Sequence, residues 1–215
     1  MDRQLISKYS LSTIRNYLNN LLGKMNRFEK ITTPIKDLFV LKNSRIGDDR
    51  GYISRLFCAD LFEAYGWSMP LMQVNFTNTS KKGTVRGFHF QHYPFEEFKL
   101  IRCLSGQVYD VALDLRRDSD TFLKSYAQIL TADNNMNFLI PPGVAHGYQS
   151  LTNNVQLLYF HSQQYSPDHE GGVNPLDPHI GLRWPENISK ISKKDSERQY
   201  LSASFKGVSF ELPSL

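Results

Sequence analysis

The sequence predicts an all-β chain folded as a sandwich or jelly roll. Short segments such as MQVNFTN, TVRGFHF, QVYDVALDLR and NVQLLYFHSQ alternate apolar and polar residues with a period of two, the mark of half-buried strands. Gly, Pro, Asn and Asp separate these segments at intervals of about ten residues, as turns between antiparallel strands do. No GxGxxG, no P-loop and no alternation of strands with long helical patterns suggests a doubly wound nucleotide-binding sheet.

Residues 1–28 stand apart from this pattern. Leu5, Tyr9, Ile14, Leu18, Leu21 and Met25 recur at helical spacing, with the basic residues largely elsewhere, so the segment reads as an N-terminal helical extension. Residues 29–215 form the β domain. Strands are expected over FVLKNSRI, GYISRLF, MQVNFTN, TVRGFHF, KLIRCLSG, QVYDVALDLR, SYAQILT, MNFLIP and NVQLLYFHSQ. Two short peripheral helices complete the prediction: a turn at DLFEAYG, and part of the polar stretch ENISKISKKDSERQY lying over the barrel.

The chain carries 25 Lys and Arg against 21 Asp and Glu, a net charge of +4, which favours an anionic partner. Its basic residues are scattered singly, which suits a small phosphorylated ligand. Nucleic acid is not expected, because no dense basic segment and no recognition motif is present. Nor is a membrane, because no apolar run reaches bilayer length. Without a secretory signal, and with only Cys58 and Cys103 in no disulfide or metal spacing, the expected compartment is the cytoplasm.

Strict alternation in TVRGFHFQ sends Arg86, Phe88 and Phe90 to one face and Val85, Gly87, His89 and Gln91 to the other. A histidine can remove a proton near neutral pH, and Lys99, ten residues later, can stabilise an oxyanion. In QVYDVALDLR, Val108, Asp110, Ala112 and Asp114 share a face, as in a strand lining a polar cavity; Tyr109, Val111, Leu113 and Leu115 form an apolar face that must pack. The HxH pair of metal-binding cupins would need histidines two apart, whereas His89 and His92 are three apart, so no metal is expected. No GxSxG elbow or activated cysteine offers a nucleophile. What remains is a general acid–base set: His89, Lys99, His146 in PPGVAHGY, Tyr159 in QLLYFHS, Glu170 and Asp195.

Taken in order, RGFHFQ, KLIRCLSGQVYDVALDLR, IPPGVAHGY, LYFHSQQYSP and ISKKD resemble the dTDP-4-dehydrorhamnose 3,5-epimerase family over roughly residues 31–200. The resemblance implies a cupin-like jelly roll that forms a homodimer by strand exchange, with no metal or organic cofactor. It implies a nucleoside-diphosphate-linked 4-keto-6-deoxy sugar as substrate, epimerised at C3 and/or C5 through an enolate, in deoxysugar biosynthesis for surface polysaccharide. His89 would be the base, Asp195 the carboxylate that orients it, Lys99 the cation beside the enolate oxygen, and Tyr159 the donor on the far face. Substrate contacts would fall to Arg50, Gln73, Asn75, Arg86, His146, Glu170 and Lys194. Arg55 takes a substrate-contact position where the family usually has Glu. Gln164 stands where an aromatic often stacks on thymine, and Glu97 where Gln is common. Those departures favour another base over thymine, guanine first, since it offers acceptors to an Arg. Alternatives on the same fold are a single-carbon epimerase, a 3,4-ketoisomerase and a non-catalytic sugar-nucleotide-binding cupin. A metal-dependent cupin oxygenase is disfavoured by the histidine spacing.

Overall fold

The computed structural model describes residues 27–209, so the expected N-terminal helices lie outside the described residues. The strands are β1 (Phe28–Thr32), β2 (Phe39–Asn43), β3 (Arg45–Asp48), β4 (Gly51–Ser54), β5 (Gln73–Thr79), β6 (Val85–Gln91), β7 (Lys99–Ser105), β8 (Gln107–Asp114), β9 (Ser125–Thr131), β10 (Met136–Ile140), β11 (Val144–Ser150), β12 (Val155–His161) and β13 (Glu170–Gly172). Two short helices, α1 (Ala59–Glu63) and α2 (Lys193–Ser196), overlap the two segments expected to be helical, α1 starting one residue before DLFEAYG. The strands FEKIT and EGG were not expected; in the first, Glu29 and Lys30 are adjacent and break the alternation, and the second has too few side chains to show a period.

One sheet runs β1-β2-β10-β7-β12-β5, the other β13-β6-β11-β8-β9, and β3–β4 is a separate hairpin. From β5 onward every connection except β8–β9 carries the chain from one sheet to the other. This is the cupin-like jelly roll, in which strands consecutive in sequence face each other across the core.

Packing explains which face of each strand turns inward. Val108 and Ala112 of β8, Leu130 of β9 and Tyr148 of β11 meet Val40, Ile101, Phe138 and Leu157 of the opposite sheet. The outer faces are also covered. Val111, Leu113 and Leu115, with Phe88 and Phe90, lie under Val173, Ile180, Trp184 and Phe205 of the C-terminal segment. Leu41, Leu100 and Phe160 lie under the aromatic layer of Phe57, Phe62 and Trp67 around α1. The apolar face of QVYDVALDLR therefore packs outward, and its acid-bearing face points into the sandwich.

Asp114 departs from the expected cavity lining. It sits where β8 ends, and there its carboxylate accepts bonds from Arg116 Nε at 2.9 Å, Ser119 at 2.6 Å and Thr121 at 2.7 Å, closing the loop to β9. Burial works to raise this carboxyl, but the Arg116 and hydroxyl bonds outweigh it and hold it below its ordinary value. Strand parity gave the face correctly and said nothing of where the cavity ends.

A second correction concerns β6. His146 pairs with His89 while Tyr148 pairs with Arg86, so three residues of β6 span two of β11. This β-bulge shifts the parity, and Arg86 turns to the same cavity as His89 rather than to the opposite face. Gly87 makes it possible: its φ is +117°, and a Cβ there would lie 2.4 Å from Gly147 Cα and 2.7 Å from the His146 carbonyl oxygen. Both obstacles are backbone atoms that cannot step aside. Gly87→Ala is expected to destabilise the fold by about 1–3 kcal/mol through backbone strain alone, with the clash adding to it. Urea unfolding would show a lowered midpoint; an unchanged midpoint would show that the bulge accepts a side chain.

Candidate active site

A cavity of about 540 Å³ opens between the sheets, within the range of small-ligand sites. On the five-stranded wall His89 donates from Nε2 to Asp195 Oδ1 at 2.7 Å, leaving Nδ1 as the free lone pair. Asp195 is buried on α2, where its own N–H is capped by Ser192 Oγ at 3.0 Å. The bulge also turns the Gly87 N–H toward Asp195 Oδ2, at 3.5 Å. Burial pushes the Asp195 carboxyl up, but the His89 bond and charge, with Ser192 and Gly87, hold it below its ordinary value. The arrangement fixes the imidazole tautomer and would stabilise an imidazolium, which suits a base.

The six-stranded wall supplies Tyr159 on β12 and Lys99 on β7. Burial pushes the Tyr159 phenol well above its ordinary value, and the nearby Tyr148 and Asp110 reinforce it. The phenol therefore holds its proton until a stronger base forms beside it. Lys99 Nζ donates to the His89 carbonyl oxygen at 3.2 Å and pairs with Glu97 at 3.2 Å. The His146 ring lies 5.9 Å from that of Tyr159, near perpendicular, and is held from behind by the fully buried Asp110. Burial raises the Asp110 carboxyl, with His146 opposing.

At the mouth, Arg86 is exposed to the cavity and makes no ion pair among the described residues. Glu170 on β13 binds Lys194 at 2.7 Å and Arg198 at 3.0 Å, and accepts a bond from the Tyr165 hydroxyl. Asn75 also lines the cavity and accepts from Gln73 Nε2 at 3.1 Å. Nine of the twelve expected site residues are brought together here: Asn75, Arg86, His89, Lys99, His146, Tyr159, Glu170, Lys194 and Asp195.

Three are not. Gln73 lies just outside the lining, where its Oε1 accepts from the Tyr165 N–H at 3.1 Å. Arg50 sits at the turn of the β3–β4 hairpin, where its Nε donates to Asp48 at 3.1 Å, and Arg55 follows β4; both are exposed and line no part of their own chain's cavity. Gln91 donates to the Gln164 carbonyl oxygen at 3.2 Å and accepts from the Ser166 N–H at 2.7 Å, and this places Tyr165, half-exposed, on the rim. Gln164 itself carries no ring, and Tyr165 is the aromatic beside it.

The fold and the site now stand beside known proteins. The sequence profile of dTDP-4-dehydrorhamnose 3,5-epimerase matches residues 32–203. The chain belongs to the dTDP-4-dehydrorhamnose 3,5-epimerase family. It is 36% identical over 168 residues to the dTDP-4-dehydrorhamnose 3,5-epimerase of Salmonella typhimurium, covering 77% of this chain and 91% of that protein. The crystal structure of the Bacillus anthracis epimerase with TDP and PPi bound superposes with a TM-score of 0.77 at 35% identity, over 81% of this chain and 99% of that one. That of the Legionella pneumophila 3,5-epimerase in complex with dTDP-4-keto-L-rhamnose gives 0.78 at 32%, over 86% and 100%. The chain is accordingly an epimerase, an isomerase by class.

In this member of the epimerase family, four cavity features escaped the sequence reading. Tyr165 and Arg198 carried no periodic signal, since both lie on irregular chain. Asp110 was placed on the inward face, but its bond to His146 depends on the β8–β11 register, in which Tyr148 faces Asp110 and His146 faces Ala112. The pairing of Glu97 with Lys99 was open to parity, because residues two apart in extended chain share a side; the third member, His161, was not.

Proposed function

We propose that this protein inverts C3 and C5 of a dTDP-linked 4-keto-6-deoxyhexose. The observation that carries the proposal is the opposition of two walls: the His89–Asp195 pair on one sheet, Tyr159 and Lys99 on the other. The 4-ketone acidifies the protons on both neighbouring carbons. His89 Nδ1 removes one, and the electron pair moves onto the ketone oxygen, where the Lys99 ammonium stabilises the charge. Tyr159 returns a proton from the other side, which inverts the carbon, and the tyrosinate is reprotonated from solvent before the next cycle. Arg86 and Lys194 meet the diphosphate, for which a guanidinium fork is well shaped. Asn75, His146 and Glu170 complete the substrate contacts. Tyr165, on the rim, offers a ring to the base.

Arg50, Arg55 and Gln73 contact substrate across a homodimer. Support comes from the hairpin, whose Ile53 is 73% exposed, and from the sheet edge at β5, whose Phe76 is 58% exposed. Apolar side chains along an unpaired edge strand favour a second copy of the chain. No helix among the described residues is long and apolar enough to cross a membrane. Two free thiols, Cys58 and Cys103, suit the cytoplasm. The product serves deoxysugar biosynthesis for surface polysaccharide.

One set of measurements tests this reading. Incubated in D2O with a dTDP-4-keto-6-deoxyhexose, the protein is expected to place deuterium at C3 and C5. dTDP should compete better than UDP, CDP or GDP, and the protein should sediment as a dimer. Deuterium at one carbon would reduce the activity to a single epimerisation; none, with tight binding, would leave a binding protein. Preference for GDP would restore Arg55 as the determinant of the base, and a monomer would remove the cross-subunit contacts.

A further inference from the structure

Glu97 is the carboxylate in the cavity that the reaction just described does not use. Its side chain is 7% exposed, and both oxygens are engaged: Oε1 with Lys99 Nζ at 3.2 Å and Oε2 with His161 Nδ1 at 2.8 Å. Backbone geometry brings the three together. Glu97 and Lys99 are two apart and share a side of the chain. Lys99 and His161 are direct partners in the β7–β12 ladder, where opposed Cβ atoms lie about 4.5–5.5 Å apart. His161 Nε2 is buried with no hydrogen-bond partner among the described residues, so the one bond this imidazole makes is to Glu97. Burial pushes the Glu97 carboxyl up, but Lys99 and His161 outweigh it and hold it below its ordinary value, so it is ionised at neutral pH.

We propose that Glu97, braced by His161, is a positioning residue that fixes the Lys99 ammonium where the enolate oxygen forms. The proposal rests on the role given above to Lys99. A lysine ends four carbons from its Cα and samples many rotamers, so its charge is diffuse unless held. Here two of its three N–H groups are committed, one to the His89 carbonyl oxygen at 3.2 Å and one to Glu97. The third is left for the substrate. Because His89 anchors Lys99 through its own backbone, the base and the cation stand in fixed relation, and Glu97 removes the remaining freedom. Preorganised donors of this kind act at the moment charge develops. The His161 ring also lies parallel to that of Tyr159 at 6.0 Å, so the same brace abuts the proton donor.

The test is a kinetic cycle with a dTDP-4-keto-6-deoxyhexose. Glu97→Ala is expected to lower kcat about 10- to 100-fold, the scale of a misplaced catalytic group, with KM little changed. Glu97→Gln should restore most of the rate, since its carbonyl oxygen accepts from Lys99 and its amide reaches His161. His161→Ala, which removes only the brace, should lower kcat less than Glu97→Ala and also spare KM. In a Lys99→Met background the loss from Glu97→Ala should vanish, as it must for a residue acting through another. If Glu97→Ala does not fold, Glu97→Gln, His161→Ala and their combinations with Lys99→Met carry the test. Full additivity in the cycle, or a Glu97→Gln enzyme as slow as Glu97→Ala, overturns positioning while leaving the role of Lys99 intact. A Lys99→Met enzyme with wild-type kcat overturns that role, and the proposal with it.

Discussion

His89→Asn is expected to stop deuterium uptake at both sugar carbons while leaving a folded protein that binds nucleotide. The Gly87 N–H still faces Asp195 Oδ2 at 3.5 Å, so the buried carboxylate keeps a donor beside it, and a smaller polar side chain leaves the wall of the cavity in place. What disappears is the lone pair on Nδ1. Loss of a general base commonly costs about 10²–10⁴ in rate, or about 3–5.5 kcal/mol at 1.36 kcal/mol per factor of ten. The remaining anionic side chains at the cavity are poor substitutes. Glu170 is held below its ordinary value: burial opposes this, but Lys194 and Tyr165 prevail. Asp195 and Glu97 are likewise held down by their partners. Carboxylates whose protons are bound so weakly make feeble bases toward a carbon acid. Rapid exchange in a folded His89→Asn protein would therefore place the base elsewhere in the cavity.

How much of this was legible in the sequence depended on the distance over which each signal acts. The period of two is local and survives folding, so the inward face of β8, the outward packing of Val111 and Leu113, and the strand carrying His89 could all be read. Asp195 was assigned to His89 by resemblance, and the structure places the two in contact although they lie 106 residues apart. The failures came where local parity is interrupted or where register decides. One extra residue at the β6 bulge reversed the expected side of Arg86, and only a glycine within a strand hinted at it. The β7–β12 register decides that His161 meets Glu97, and nothing near either residue encodes it. Arg50 and Arg55 lie on an exposed hairpin, so a single chain's cavity cannot show whether they meet substrate. Tyr165 shows a subtler limit: side chains on irregular chain have no parity, and it took the hydrogen bonds of Gln91 to place its ring at the rim.

Tyr159→Phe is expected to separate proton removal from inversion. His89 remains able to abstract a proton, exchange it with solvent and return deuterium to the same face. The substrate should therefore gain deuterium with its configuration retained, while the inverted product falls by about 10²-fold or more, the usual scale for a lost general acid. The position of the hydroxyl makes this test sharp. Burial favours the neutral phenol, so the wild-type group enters each cycle protonated. His146, whose ring lies 5.9 Å from that of Tyr159, is one alternative donor, but its Nε2 is committed to Asp110. Labelled substrate with retained configuration would assign donation to Tyr159 and abstraction to His89 in one experiment. Wild-type yields of inverted product from Tyr159→Phe would instead pass the role to His146 or to a water, and leave Tyr159 as part of the packed wall. Loss of exchange together with inversion would mean that the phenol is needed before the enolate forms, as an additional donor to the ketone oxygen beside Lys99.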